Sequence, residues 1–259
     1  MDMQLRDRVV MVAGGASGIG RACVDLLASE GANILIVDRN PDGAAAAEQL
    51  RNDGRQVSFV QADLTVEADV RMLAEAVEDL YGGLDSVIAC AGISGPVGQN
   101  ATDVSAEDWD RVMAVNVRGN FLLAKYCVPL LRDSAVASVV FLGSDSAFVA
   151  YEGMAPYTAS NGAVVMLTKA LAVDHPQIRF NCLCPGIVDT PMSRADLGFD
   201  DGFAGSGLPV IEPRQIAGHA LFLASPVSAP VNGTTLIADL GYLARSAQPS
   251  LDFTASPST

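Results

Sequence analysis

Seven short apolar runs recur along the chain, at Val9–Ala13, Asn33–Asp38, Gln56–Gln61, Asp85–Ala89, Val136–Leu142, Ile178–Cys184 and Thr234–Ala238. Between them lie longer segments of helical period, such as Val66–Tyr81 with Leu73, Val77 and Leu80 on one face. The runs are apolar at consecutive positions, so both faces of each strand must be covered. Strands of that kind, alternating with helices, predict a parallel sheet of about seven strands with helices on both sides, a doubly wound α/β fold. Further helices are expected over Gly18–Ser29, Pro41–Asn52, Ala155–Val173 and Pro213–Ala224, and a long one capped at Ser105 runs to about Leu131. No linker divides residues 1–245, which are expected to form one domain. Two segments fall outside the pattern: about 192–212, which lacks periodicity and reads as a mobile lid, and 246–259, a Ser- and Pro-rich tail.

A formal charge of −14 with no basic run excludes nucleic acid and anionic membrane surfaces as partners. The polar start lacks the order of a signal peptide, and no apolar run approaches the roughly 20 residues that cross a bilayer. A cytoplasmic protein is expected. Five scattered cysteines, Cys23, Cys90, Cys127, Cys182 and Cys184, read as reduced structural thiols, and no metal site is expected.

The first strand runs into Gly14-Gly15-Ala16-Ser17-Gly18-Ile19-Gly20, which opens a helix. In this fold such a turn lets the backbone approach a pyrophosphate at a helix N-terminus, which makes the sheet a Rossmann-type dinucleotide-binding domain. Asp38 ends the second strand, where a carboxylate accepts hydrogen bonds from ribose hydroxyls and repels a 2′-phosphate. NAD is therefore expected over NADP, with the neighbouring Arg39 as a counter-signal. Downstream, Ser144 closes the fifth strand, and Tyr157 follows thirteen residues later with Asn161 one helical turn beyond it. Asn116 lies within the long helix, in Met113-Ala114-Val115-Asn116-Val117.

This ensemble resembles the short-chain dehydrogenase/reductase family over nearly the whole chain. The glycine spacing, the Asp63-Leu64 pair after the third strand, Ala91-Gly92 after the fourth, and Pro185-Gly186-Ile187-Val188-Asp189-Thr190 after the sixth all match segments of that family. The resemblance implies that Gly14, Ser17, Gly18, Ile19, Gly20 and Asp38 hold the cofactor. It adds Asp63, Leu64, Ala91, Gly92, Tyr157, Asn161, Pro185, Gly186, Val188 and Thr190, with Thr190 placed for the nicotinamide carboxamide and the Asn161 amide able to hydrogen-bond ribose hydroxyls. It also implies that Ser144 holds the substrate oxygen, that Tyr157 passes the proton and that Asn116 anchors a relay water. Two asparagines usual before Ala-Gly are replaced here by Ala89-Cys90, and the family's catalytic lysine position is held by Asn161.

That last departure matters chemically. A phenol of ordinary pKa near 10 is phenolate to only about one part in a thousand at neutral pH. A nearby ammonium raises that fraction, whereas an uncharged amide does so far less. Lys169 lies about 12 Å further along the helix, too far to substitute. The expectation is an NAD-dependent alcohol–ketone oxidoreductase, weakened at neutral pH or shifted to alkaline pH. The alternative is an NAD(H)-binding protein without efficient turnover, as a sensor, a partner subunit or an engineered inactive variant. Ser94, Ser146, Phe148, Tyr151, Met154, Ile187 and Met192 are expected to line a pocket for a small or medium, moderately apolar substrate, with Arg194 the one cation nearby. The family resemblance implies a homotetramer; Ala159, Ala163, Leu167 and Leu171 form a stripe that is either core or subunit interface.

Overall fold

In a computed structural model, which describes residues 2–245, the seven apolar runs pair into one parallel sheet. The strands are β1 (Val9–Ala13), β2 (Asn33–Asp38), β3 (Val57–Gln61), β4 (Ser86–Ala89), β5 (Ser138–Leu142), β6 (Arg179–Pro185) and β7 (Thr235–Ala238), in the order β3-β2-β1-β4-β5-β6-β7. The chain leaves one edge after β3 and restarts at the centre with β4. That reversal opens a crevice beyond the carboxyl ends of β1 and β4, where ligands bind in open α/β sheets.

Strand pleating explains why consecutive apolar residues were needed. Val9, Met11 and Ala13 of β1 point into one core layer, and Val10 and Val12 into the other. The first layer is closed by α3 (Glu67–Tyr81), α5 (Gly119–Leu131) and α6 (Ala155–Asp174), the second by α1 (Gly18–Glu30), α2 (Gly43–Asn52) and α8 (Pro213–Ala224). Of the expected stripe on α6, Ala159 is exposed and Ala163, Leu167 and Leu171 are half-buried; the buried side is Ser160, Asn161, Val164, Val165 and Thr168.

Two elements differ from expectation. The long helix is α4 (Ala106–Met113) and α5 joined by a π-helical stretch, Ala114–Arg118, in which the Gly119 amide reaches back to the Ala114 carbonyl. Ser105 caps its start, accepting from the Asp108 amide at 3.0 Å. Within the expected lid, Pro191–Leu197 forms α7, with Thr190 as N-cap, Pro191 in the first turn and Gly198 in left-handed conformation at its end. Beyond it the chain folds back, with Phe199 on Phe203 at 5.1 Å and Ile211 bonded to the segment after β6 through Ile187 and Asp189. The expected tail 246–259 lies outside the described residues. Among the described residues no helix is long and apolar enough to cross a membrane.

Candidate active site

A cavity of about 510 Å³ occupies the crevice. Its lining takes in the glycine turn, Asp38, Asp63, Leu64, Ala91, Gly92, Asn116, Ser144, Tyr157, Asn161, Pro185, Gly186, Val188 and Thr190. Residues at the carboxyl ends of six strands thus converge with Asn116 of the π-helical stretch and Tyr157 and Asn161 of α6, although the chain spaces them across some 180 positions.

The cofactor end is built for close backbone approach. Gly14 has φ +77°, and a Cβ there would sit 2.6 Å from the Ala91 amide nitrogen. A Cβ on Gly20 would lie 2.0 Å from the Gly14 carbonyl oxygen. Ser17 opens α1 in extended conformation with its side chain exposed and making no cap bond. The first amides of α1 are thus free for an anion, and the positive end of the helix faces the same space. A dinucleotide fits this cradle. Asp38 is fixed at the end of β2, its Oδ2 accepting from the Ala16 amide at 3.0 Å and its Oδ1 from the Asn40 amide at 2.9 Å. Asp63 is braced by the Thr65 amide and hydroxyl, at 2.8 and 2.7 Å, which hold its carboxyl below the usual range. Thr190 spends its hydroxyl on capping α7, accepting from the Ser193 amide at 3.2 Å.

At the other end, Ser144 lies two residues beyond β5 and caps a 3-10 turn, Asp145–Ala147, and Tyr157 stands in the first turn of α6, which packs against that turn. Tyr157 has its pKa raised above the ordinary phenol value, chiefly because burial disfavours the phenolate. Ser144 and Asn161 beside it pull the other way, while the carboxylates of Asp145 and Asp196 push further up. Asn161 is 5% exposed, and its amide nitrogen donates to the Tyr157 main-chain carbonyl at 2.9 Å. That is the back-bond an asparagine makes inside its own helix. Asn116, on the π-helical stretch, exchanges two hydrogen bonds with the Ile93 backbone, both at 2.9 Å, and donates to the Ser160 hydroxyl at 3.0 Å. It ties the loop after β4 to α6. A π-bulge at a ligand-facing residue is a common functional device.

The expected pocket residues divide. Ser146, Tyr151, Met154, Ile187 and Met192 line the cavity. Ser94 and Phe148 do not: Ser94 is buried and gives its hydroxyl to Asp196 of α7, and Phe148 is 48% exposed on the outer side of a 3-10 turn, Asp145–Ala147. Arg194 is likewise engaged, gripping Asp189 with two bonds at 2.6 and 3.0 Å. Neighbours the residue pattern did not single out are Asp145 and Asp196, both on the cavity. A carboxylate directly after Ser144 was the available signal for the first. The five cysteines are free, and Cys182 and Cys184 lie 3.6 Å apart, buried beneath Gly143. Among the described residues no cluster fit for a metal ion occurs.

Comparison with known proteins gives a consistent result. A family profile described as enoyl-(acyl carrier protein) reductase matches residues 14–243. Cyclopentanol dehydrogenase of Comamonas sp. (strain NCIMB 9872) is 32% identical, over 93% of this chain and 99% of that protein. D-threitol dehydrogenase of Mycolicibacterium smegmatis is 33% identical, over 93% and 95%. The solved structure of Thermoplasma acidophilum aldohexose dehydrogenase superposes with a TM-score of 0.85 at 25% identity, covering 97% of this chain and all of that one.

Proposed function

From membership of the short-chain dehydrogenase/reductase family, to which this chain belongs, we propose an oxidoreductase that interconverts a small or medium alcohol and its ketone with NAD. One observation carries the reading: Ser144 and Tyr157 line the same cavity as the glycine cradle and the uncapped start of α1. Bound NAD would supply the carbon that accepts or returns hydride. Relatives named for cyclopentanol and D-threitol, both bearing secondary hydroxyls, support the substrate class. Tyr151, Met154, Ile187 and Met192 give the pocket its mixed character, and with Arg194 held by Asp189 no cation there favours an anionic substrate.

In this reading Asn161 stands where the family places lysine. Tyr157, kept a neutral phenol by burial, donates a hydrogen bond to the ligand oxygen at neutral pH. The decisive experiment follows NADH formation with a panel of secondary alcohols at neutral and alkaline pH. Turnover that falls roughly 100-fold or more in Tyr157→Phe supports the proposal. NAD(H) binding with no hydride transfer at either pH would instead establish the non-catalytic reading, which the raised Tyr157 pKa and the back-bonded Asn161 favour.

The choice of NAD rests on Asp38. Replacing it by serine removes charged acceptors for the ribose hydroxyls, each worth about 1.5–3 kcal/mol. Fluorescence titration is expected to show NADH affinity reduced roughly 10- to 100-fold, and NADPH affinity improved because Arg39 remains on the cavity. Equal affinities for both cofactors in the unaltered protein would refute the preference.

A further inference from the structure

Asp145 occupies a position with no assigned role: 5% exposed, on the cavity, immediately after Ser144. Its Oδ1 accepts from the Ser144 hydroxyl at 3.0 Å and its Oδ2 from the Tyr151 hydroxyl at 3.0 Å. The consequence for Ser144 follows from counting. A hydroxyl has one proton and two lone pairs. The proton has three acceptors in reach, Asp145 Oδ1, the Ser146 hydroxyl at 3.1 Å and the Tyr157 oxygen, and all lie within the protein. The charged acceptor forms the stronger bond. One lone pair takes the Ser146 amide at 3.2 Å. What Ser144 offers a ligand is therefore one acceptor and no donor. Tyr157 offers the complement: its pKa is raised, so at neutral pH it donates.

A secondary alcohol satisfies both groups at once, accepting from Tyr157 and donating to Ser144. A ketone satisfies only Tyr157. We propose that Asp145 is the terminal proton acceptor of this site, reached through Ser144, and that this relay does the work a lysine-activated Tyr157 would otherwise do. The idea rests on the alcohol–ketone reading above. In the oxidation, the alcohol carbon gives up hydride to NAD and its O–H bond breaks. That proton goes to Ser144 Oγ, the proton Ser144 held goes to Asp145 Oδ1, and the products are ketone, NADH and a protonated Asp145. Reduction runs the same steps backwards, and Asp145 returns its proton to solvent between turnovers.

The groups facing this relay do not compete for the role. Burial, reinforced by the charge of Asp145, pushes the Tyr151 pKa up, so its hydroxyl stays a donor. Tyr242 stacks on Tyr151 at 6.3 Å. The Cys182 thiol and burial hold Cys184 protonated beneath Gly143. Asp196, on α7, is engaged by Ser94. Asn161 is tied to the backbone and carries no charge.

Asp145→Asn keeps the shape and removes the acceptor charge. The expected result is a neutral-pH oxidation rate reduced roughly 100- to 10,000-fold, the usual worth of a general base. The rate recovers at alkaline pH, where Tyr157 ionises and serves as base itself. It also recovers at neutral pH in the double variant Asp145→Asn/Asn161→Lys, where an ammonium promotes that ionisation. A merely structural role for Asp145 would give neither recovery. An independent readout needs no ligand: near-ultraviolet titration of the free protein, with Tyr157→Phe as the blank, should show Tyr157 ionising at lower pH in Asp145→Asn. An unchanged neutral rate in Asp145→Asn, or a double variant as impaired as the single one, would overturn the relay while leaving the dehydrogenase reading standing. NAD binding without alcohol oxidation by the unaltered protein at any pH would overturn both.

Discussion

Asn161→Lys is expected to lower the pH at which Tyr157 ionises by about 1 to 3 pH units, the usual effect of an adjacent opposite charge on an acid. The sign is fixed by the charges. Phenolate is the charged form; burial and the carboxylates of Asp145 and Asp196 disfavour it, and an ammonium favours it. At a fixed neutral pH that shift raises the phenolate population roughly 10- to 1000-fold. Oxidation through Tyr157 should rise with it, and the ascending limb of its pH–rate profile should move down by the same interval. The substitution also removes the bond from the Asn161 amide to the Tyr157 carbonyl, at a cost of about 1 kcal/mol. A modest loss of thermal stability should therefore accompany the kinetic gain. A pH–rate profile and a tyrosine titration that coincide with those of the unaltered protein would show that charge at this position does not govern Tyr157.

A second large effect is expected from the smallest possible change, Gly20→Ala. The added Cβ would stand 2.0 Å from the Gly14 carbonyl oxygen. The obstacle is backbone, so no side chain can swing aside; either the turn or the first coil of α1 must move. Overpacking a site so confined costs roughly 3 kcal/mol, and the melting temperature should fall by on the order of 10 °C. Affinity for NADH should fall too, because the displaced carbonyl belongs to the cradle itself. Gly218→Ala in α8 is the matched control. Its Cβ would meet nothing within 4 Å, so alanine there should stabilise by about 0.4–1 kcal/mol. Similar melting temperatures for the two variants would mean that the close approach at Gly20 is relieved at little cost.

Strands were the most legible part of the chain, for a physical reason. A strand buried on both faces must be apolar at nearly every position, and no other element needs that in so few residues. The glycine turn was equally plain, since its backbone conformations and close contacts exclude a Cβ. Helix α7 carried a signal that the composition of its neighbourhood obscured: Thr190 as cap, Pro191 in the first turn and Gly198 at the end are helix punctuation, although Gly, Asp and Phe residues follow. The direction of Phe148 was not legible, because a residue ending a single 3-10 turn faces inward or outward according to tertiary packing that no local pattern records. Nor was the use of Asp145. A polar residue after a strand reads as a turn former, and only the fold brings Tyr151 round to meet it.

The π-helical stretch carries a consequence for how this protein can change length. Met113-Ala114-Val115-Asn116-Val117 reads as ordinary helix, yet Ala114 bonds five residues ahead, so the stretch holds one residue more than an α-helix of the same rise. An extra residue in a regular helix would turn everything after it by about 100°; the wider π turn absorbs it instead, so the two helices it joins keep the phase of one continuous helix. Val112 before it and Leu122 and Leu123 after it are accordingly all buried in the core. Deleting one residue within 114–118 would restore a regular helix of the same rise at no loss of backbone bonding, with the two halves keeping their phase, and would chiefly change where Asn116 points. Insertions and deletions elsewhere in a helix are damaging because they break its register. Here the register already contains its insertion, so removing one residue is the change the helix should tolerate, at the expense of the aim of Asn116.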